Sequence, residues 1–208
     1  MCDQRAGEVA PVMVRVGDTG SVSAYVWQDE LAGKISEVVF TDGAGNALSI
    51  REYAGPDTRV EVSLPGGRVE VVSMDGTIQL RGLSLMGPVA ESFSFEVREE
   101  MSEEDLEVLR QSPDFATFMG LVTADANSQL REALVAFLLS QGWVQQAPGG
   151  ELIMVPDRAS RWECFVACLV LGAAILAVGP ACAAGPLACY AAIVAVIAAY
   201  QQVQDACG

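Results

Sequence analysis

Cysteine is the residue type through which this chain could do chemistry, and five of its six cysteines crowd into the stretch from Cys164 to Cys207. Their spacing, C-x3-C-x13-C-x6-C-x17-C, lacks the close pairs of a zinc site, and the chain has no histidine to complete one. No metal and no cofactor are therefore expected. Clustered cysteines without metal spacing fit disulfides formed at an oxidising destination. In an antiparallel helical hairpin Cys182 and Cys189 flank the connection, while Cys164 meets Cys207 at the open end. Those are the two bridges such geometry permits, leaving Cys168 free or paired with Cys2. The plain alternative is that these thiols are small apolar core residues.

Other chemistry is thin. Asp42, Asp57 and Asp75 fall in turns, where aspartate usually bonds its own backbone, and Asp42 and Asp75 belong to no D-x-D-x-D-G calcium loop. Tyr25 and Trp27 alternate on one strand face and read as packing. With no histidine, phosphate loop or G-x-S-x-G motif, an enzyme is not expected. Gly149-Gly150 has two readings: a hairpin turn after Pro148, or a double-glycine processing site of the kind that ends many exported bacterial leaders. Cleavage between Arg158 and Arg161 is the other processing candidate.

The cysteines lie in a segment that water alone would not tolerate. From Cys164 to Tyr200 there is no charged side chain, and thirteen of those 37 residues are alanine. Gly179-Pro180 and Gly185-Pro186 interrupt it, and proline both lacks a donor and restricts its neighbour. The spacing predicts two helices, about Cys164 to Val178 and Leu187 to Tyr200, each roughly 21–23 Å long against the ~30 Å of a bilayer core. Tyr190, Ile193, Val194, Ile197 and Tyr200 share one face of the second helix, and alanines fill most of the other. A buried or interfacial hairpin is favoured over two membrane spans.

The remainder must carry, cover or deliver that hairpin. The chain has 208 residues, a net charge of −15, and no basic residue after Arg161. Phosphate binding needs clustered Lys and Arg, so no nucleic-acid partner is expected, nor does the tail look like a cationic membrane helix. Met1-Cys2-Asp3-Gln4 lacks the basic stretch and apolar run of a secretory signal, so export by another route is expected, or a chain that starts after such a signal.

Between Val9 and Val97 apolar and polar residues alternate in eight short runs, divided by Asp42-Gly43, Gly55-Pro56, Pro65-Gly66-Gly67, Asp75-Gly76 and Gly87-Pro88. This predicts an antiparallel β-sandwich or open barrel. Ser102 with Asp105 resembles a capping box, and Ser112-Pro113 an N-cap with its N1 proline. Helices over 103–111, 113–122 and 127–141 and a short β-hairpin over 143–155 follow. The expected fold is α+β: a β domain over 1–99, a helical segment with a short β-hairpin over 100–160, and an apolar cysteine-rich helical hairpin over 161–208.

An acidic N-terminal region, a helical segment opening on Ser112-Pro113-Asp114-Phe115, a short strand, and a Cys-, Ala- and Gly-rich apolar end without basic residues resemble the halocin C8-type bacteriocin precursors in layout. That resemblance implies a C-terminal antimicrobial peptide and an N-terminal region linked to producer immunity. Five C-terminal cysteines stand here where the archaeal peptide has ten. The leading expectation is accordingly a bacteriocin-like precursor, secreted after processing, whose hairpin acts on the membrane, or on a membrane protein, of a target cell. Its N-terminal region would be the intramolecular partner that shields it, escorts it or confers immunity. The alternative is a surface or adaptor protein held at the cell membrane by the hairpin, with a β domain that binds a partner.

Overall fold

The computed structural model describes residues 9–29, 33–54, 59–74, 77–147, 152–155 and 162–207. Eight strands follow in order: β1 Met13–Gly17, β2 Gly20–Asp29, β3 Gly33–Asp42, β4 Ala47–Ala54, β5 Arg59–Leu64, β6 Gly67–Met74, β7 Thr77–Ser84 and β8 Glu91–Val97. Each pairs antiparallel with the next, giving one open meander. Side chains alternate between the faces of a strand, and here Val22, Val38, Phe40, Leu48, Ile50, Val60, Val62, Val69, Val71 and Leu80 are buried on the inner face. The outer face carries charge. Glu37, Arg51 and Glu61 are consecutive cross-strand neighbours, as are Glu70 and Arg81. Arg51 meets Glu37 at 3.1 Å and Arg81 meets Glu70 at 2.8 Å. Trp27 belongs to this outer layer, with the Arg51 guanidinium 5.6 Å from its ring centre.

The turn after β3 is held by Asp42, whose Oδ1 accepts from the amides of Ala44 and Asn46 and whose Oδ2 accepts from the Asn46 side chain. Burial pushes this carboxyl up, but those hydrogen bonds outweigh it and hold the group below its ordinary value. Asp57 and Asp75 lie outside the described residues.

Helices then cover the inner face. The helix α1 (Glu103–Gln111) starts on the Ser102–Asp105 capping box, and α2 (Pro113–Val122) on the Ser112 cap with proline at its first position. Phe115 and Phe118 of α2 pack against Phe93 and Phe95 of β8, with ring centres 5.3–5.7 Å apart. The next helix, α3 (Asp125–Ser140), begins two residues before Asn127. Asn127 instead serves as a tertiary clamp, its Nδ2 donating to the carbonyls of Leu121 and Pro65. A two-stranded pair, β9 (Val144–Gln146) and β10 (Leu152–Met154), follows.

The hairpin is α4 (Glu163–Ala184) and α5 (Pro186–Cys207), two tightly packed helices of 22 residues each. Its legs run past the ends that the two Gly-Pro pairs suggest. Pro180 lies inside α4, exposed and little more than a turn from its end, where losing one backbone donor costs little. The chain reverses at Gly185, which has φ +140°, and Pro186 then opens α5. Each leg is thus about 33 Å long, so both reach the thickness of a bilayer core.

Length alone does not place them in lipid, because α4 is built into the protein. It packs on β3 and β4, on α2 and α3, and on α5. Gly172 makes the closest approach: a Cβ there would lie 2.7 Å from Ile50 Cδ1 and 2.9 Å from Leu48 Cδ2. Replacing Gly172 with leucine should lower unfolding stability by about 1–3 kcal/mol through overpacking. The urea midpoint checks this, and an unchanged midpoint would mean that α4 does not rest on the sheet in solution.

Candidate functional site

Two regions of the hairpin concentrate what chemistry the chain has. At the open end, Cys164 at the start of α4 is bonded to Cys207 at the end of α5, with Cα atoms 4.7 Å apart. At the tip, Cys182 and Cys189 are bonded across the reversal, with Cα atoms 3.9 Å apart. Both pairs are those that an antiparallel hairpin brings together. Cys168 carries a free thiol, fully buried one turn along α4 from Cys164. Cys2 and the processing candidates Gly149, Gly150, Arg158 and Arg161 lie outside the described residues.

Tertiary packing gathers buried polar groups at the open end within an apolar core. The sulfurs of Cys164, Cys168 and Cys207 all lie within 4.8 Å of one another, a grouping that spacing along the sequence does not reveal. Glu52 follows Leu48 and Ile50 on the inner face of β4 and is only 1% exposed. Its Oε2 has no hydrogen-bond partner among the described residues. Opposite it on β3 stands Ser36, also buried, and two residues before that Lys34, whose Nζ donates to the Cys207 carbonyl at 3.4 Å. Tyr200 of α5 is fully buried, with its hydroxyl accepting from the Ser73 amide at 3.2 Å.

Electrostatics here run against charge. Burial pushes the Glu52 carboxyl up, and the Lys34 ammonium only partly offsets this. Burial likewise pushes the Cys168 thiol far above its ordinary range, with the Glu52 carboxylate adding to the effect. Tyr200 is raised by burial and by Glu52, against the hydrogen bond from Ser73. A buried acid was legible only as a break in phase: Glu52 occupies an apolar position in the alternation of β4.

At the tip the surface is apolar and uncharged. Pro180, Ala183, Ala184, Pro186, Leu187 and Ala191 are exposed, Leu187 at 82%. The Tyr190 hydroxyl, donating to the Glu99 carbonyl, fixes α5 beside the start of the helical segment. Between tip and open end, an open groove of about 410 Å³ is lined by Ala174, Ala177, Ala195 and Ala198 together with Arg131, Glu132 and Gln202.

Comparison with protein-family models, with curated proteins and with solved structures finds no match. The local chemistry is therefore the ground for any functional reading.

Glu52 gives a pH signature. A carboxyl whose folded pKa is raised contributes stability that is fully present below its unfolded value of 4.5 and is lost as pH rises through its folded value. Glu52→Gln should therefore gain on the parent protein as pH climbs from 4.5 toward neutrality, by at most about 1.4 kcal/mol per pH unit. Parallel urea titrations at several pH values measure this difference, and a constant difference would show that the Glu52 carboxyl titrates alike in the folded and unfolded chains, so that burial does not raise it.

Proposed function

We propose that this is a membrane-associated protein that touches the bilayer with the disulfide-closed tip of its C-terminal hairpin, while its β domain faces a partner. The observation that carries this reading is the exposed tip, with Leu187 at 82% exposure beside uncovered prolines and alanines. Among the described residues, two helices are long and apolar enough to cross a membrane. They differ in what the fold leaves available: 72% of the apolar window of α4 is buried inside the protein, against 39% for α5. As folded, α4 is therefore a core helix, and the lipid-facing surface consists of the tip and the outer side of α5. Shallow insertion suits that geometry better than spanning, since α4 would have to leave the sheet in order to span.

Charge supports the kind of surface that would be met. The tip bears no cation, and the acidic run Glu99, Glu100, Glu103 and Glu104 lies on the segment that Tyr190 touches. Attachment is then driven by apolar transfer and favours zwitterionic lipid over anionic lipid. On the β domain, Val14 and Val16 stand exposed along β1, an edge strand of the meander, and Val12 just before it. This is the surface at which a partner of the adaptor type would meet an apolar row next to unpaired backbone.

A second reading, the bacteriocin-type precursor, draws support from a different observation. The hairpin is stapled at both ends, so it remains a closed unit if the chain before it is cut. The sheet and middle helices would then be the shield over α4. The two readings part on whether the hairpin leaves: a processed precursor releases a discrete C-terminal fragment into the medium, and the membrane-associated protein stays intact.

Flotation of the intact protein with phosphatidylcholine vesicles tests the leading reading. The protein should float with the vesicles, and Leu187→Glu should reduce partitioning about tenfold or more, as loss of one large apolar contact implies. Absence of flotation, or equal partitioning of both proteins, would sink the lipid-contact reading.

A further inference from the structure

The open end of the hairpin holds a thiol beside a disulfide, and the structure assigns this cluster an exchange chemistry: Cys168 displaces Cys164 from Cys207, making Cys164 the modifiable thiol of the protein. Geometry sets it up, because the sulfurs of Cys164, Cys168 and Cys207 lie within 4.8 Å of one another with no backbone movement. In the step, the Cys168 thiolate attacks the Cys207 Sγ and a Cys168–Cys207 bond forms. The Cys164–Cys207 bond breaks, its electron pair leaves on the Cys164 Sγ, and Cys164 takes up the proton that Cys168 gave up. No outside oxidant or reductant enters.

Helix geometry decides which sulfur is attacked. Cys164 and Cys168 are four residues apart on α4, where Cβ atoms sit about 5–6 Å apart, too far for the roughly 3.5–4.5 Å a disulfide requires. Attack on Cys164 would thus strain α4, whereas attack on Cys207 makes another bridge between the two helices. The helix termini point the same way, against the side-chain charges of Glu163 and Lys34. Cys164 is the second residue of α4 after the Trp162 cap, so helix dipoles favour its thiolate, while Cys207 ends α5, where they disfavour it. Cys164 is half-buried, and Cys168 and Cys207 are buried at 1% and 4% exposure. Exchange therefore moves the free thiol from the core to the rim.

The surroundings make the exchange slow. The charged and titratable groups near the sulfurs include Glu52 on β4, Lys34 on β3, Tyr200 on α5, Glu163 beside Cys164 on α4 and Asp205 two residues before Cys207 on α5. Glu52 opposes the attacking thiolate and Glu163 the departing one, so the thiol is held in reserve. Once released, Cys164 reacts with small disulfides: its thiolate attacks one sulfur of oxidised glutathione, forming a Cys164–glutathione bond and expelling the other half as a thiolate.

The test uses the unreduced full chain carrying Cys2→Ser, treated with iodoacetamide at pH 7, 8 and 9 and then peptide-mapped without reduction. The label should accumulate on Cys164 together with a Cys168–Cys207 linked peptide, at a rate rising about tenfold per pH unit with the thiolate fraction. Glu52→Gln should speed labelling, Cys168→Ser should slow it at least tenfold, and oxidised glutathione in place of iodoacetamide should give an adduct at Cys164. Label on Cys168 or Cys207, or no label with the Cys164–Cys207 bridge intact, would overturn the assignment. The map of the parent protein decides this even where a variant does not fold.

Discussion

A helix without a polar face has to be covered all round, and α4 imposes that constraint on the rest of the molecule. After Glu163 it contains no charge, and nearly every residue from Phe165 to Gly179 is buried. One partner helix can cover only part of such a cylinder. The inner face of the meander supplies a second side, and α2 and α3 supply a third. Gly172 against Leu48 and Ile50, and Gly179 against Thr123, show where backbone had to come close enough for this to work. The eight strands bury their inner side chains against α4 and the helices beside it, so sheet and hairpin are each other's solution to apolar surface.

The constraint also explains the division of labour within the hairpin. α4 is committed to the core, which leaves α5 and the tip as the parts that can meet something else. The bridge at the open end closes a loop with a sequence separation of 43 and the bridge at the tip one of 7. By the chain-entropy argument the longer closure contributes roughly 4 kcal/mol and the shorter roughly 2.5. The long bridge thus secures the hairpin to itself, while the short one shapes a tip whose other polar anchor is the Tyr190–Glu99 hydrogen bond.

How much of this could be read from residues follows from which interactions are local. Period-two alternation and turn residues place all eight strands, and the Ser102 and Ser112 caps place α1 and α2, because those signals act within a few positions. Pro180 misleads over the end of α4, since a proline near an exposed end costs one hydrogen bond while continued packing of Val178, Gly179 and Cys182 recovers more. Asn127 misleads over the start of α3, because its amide is engaged by carbonyls 6 and 62 residues away. The pairing of cysteines follows from the antiparallel hairpin alone, at a separation of 7 for the tip and 43 for the open end. The convergence of Glu52, Lys34 and three sulfurs does not, because it depends on how the hairpin lies across β3 and β4.

Glu52 is the point at which the fold departs from its own logic. The phase of β4 directs this side chain inward, where a leucine would cover α4 equally well and leave no acceptor unpaired. A buried carboxyl lacking a partner for one oxygen costs stability, so the sheet tolerates a penalty at a position whose charge acts on the free thiol. The electrostatic consequence is specific: a carboxylate there disfavours thiolate at Cys168, and with it attack on the neighbouring bridge. An apolar residue would remove that charge from the thiol's surroundings. The bridge that closes the apolar hairpin is therefore guarded by a group whose own burial the rest of the fold has to offset.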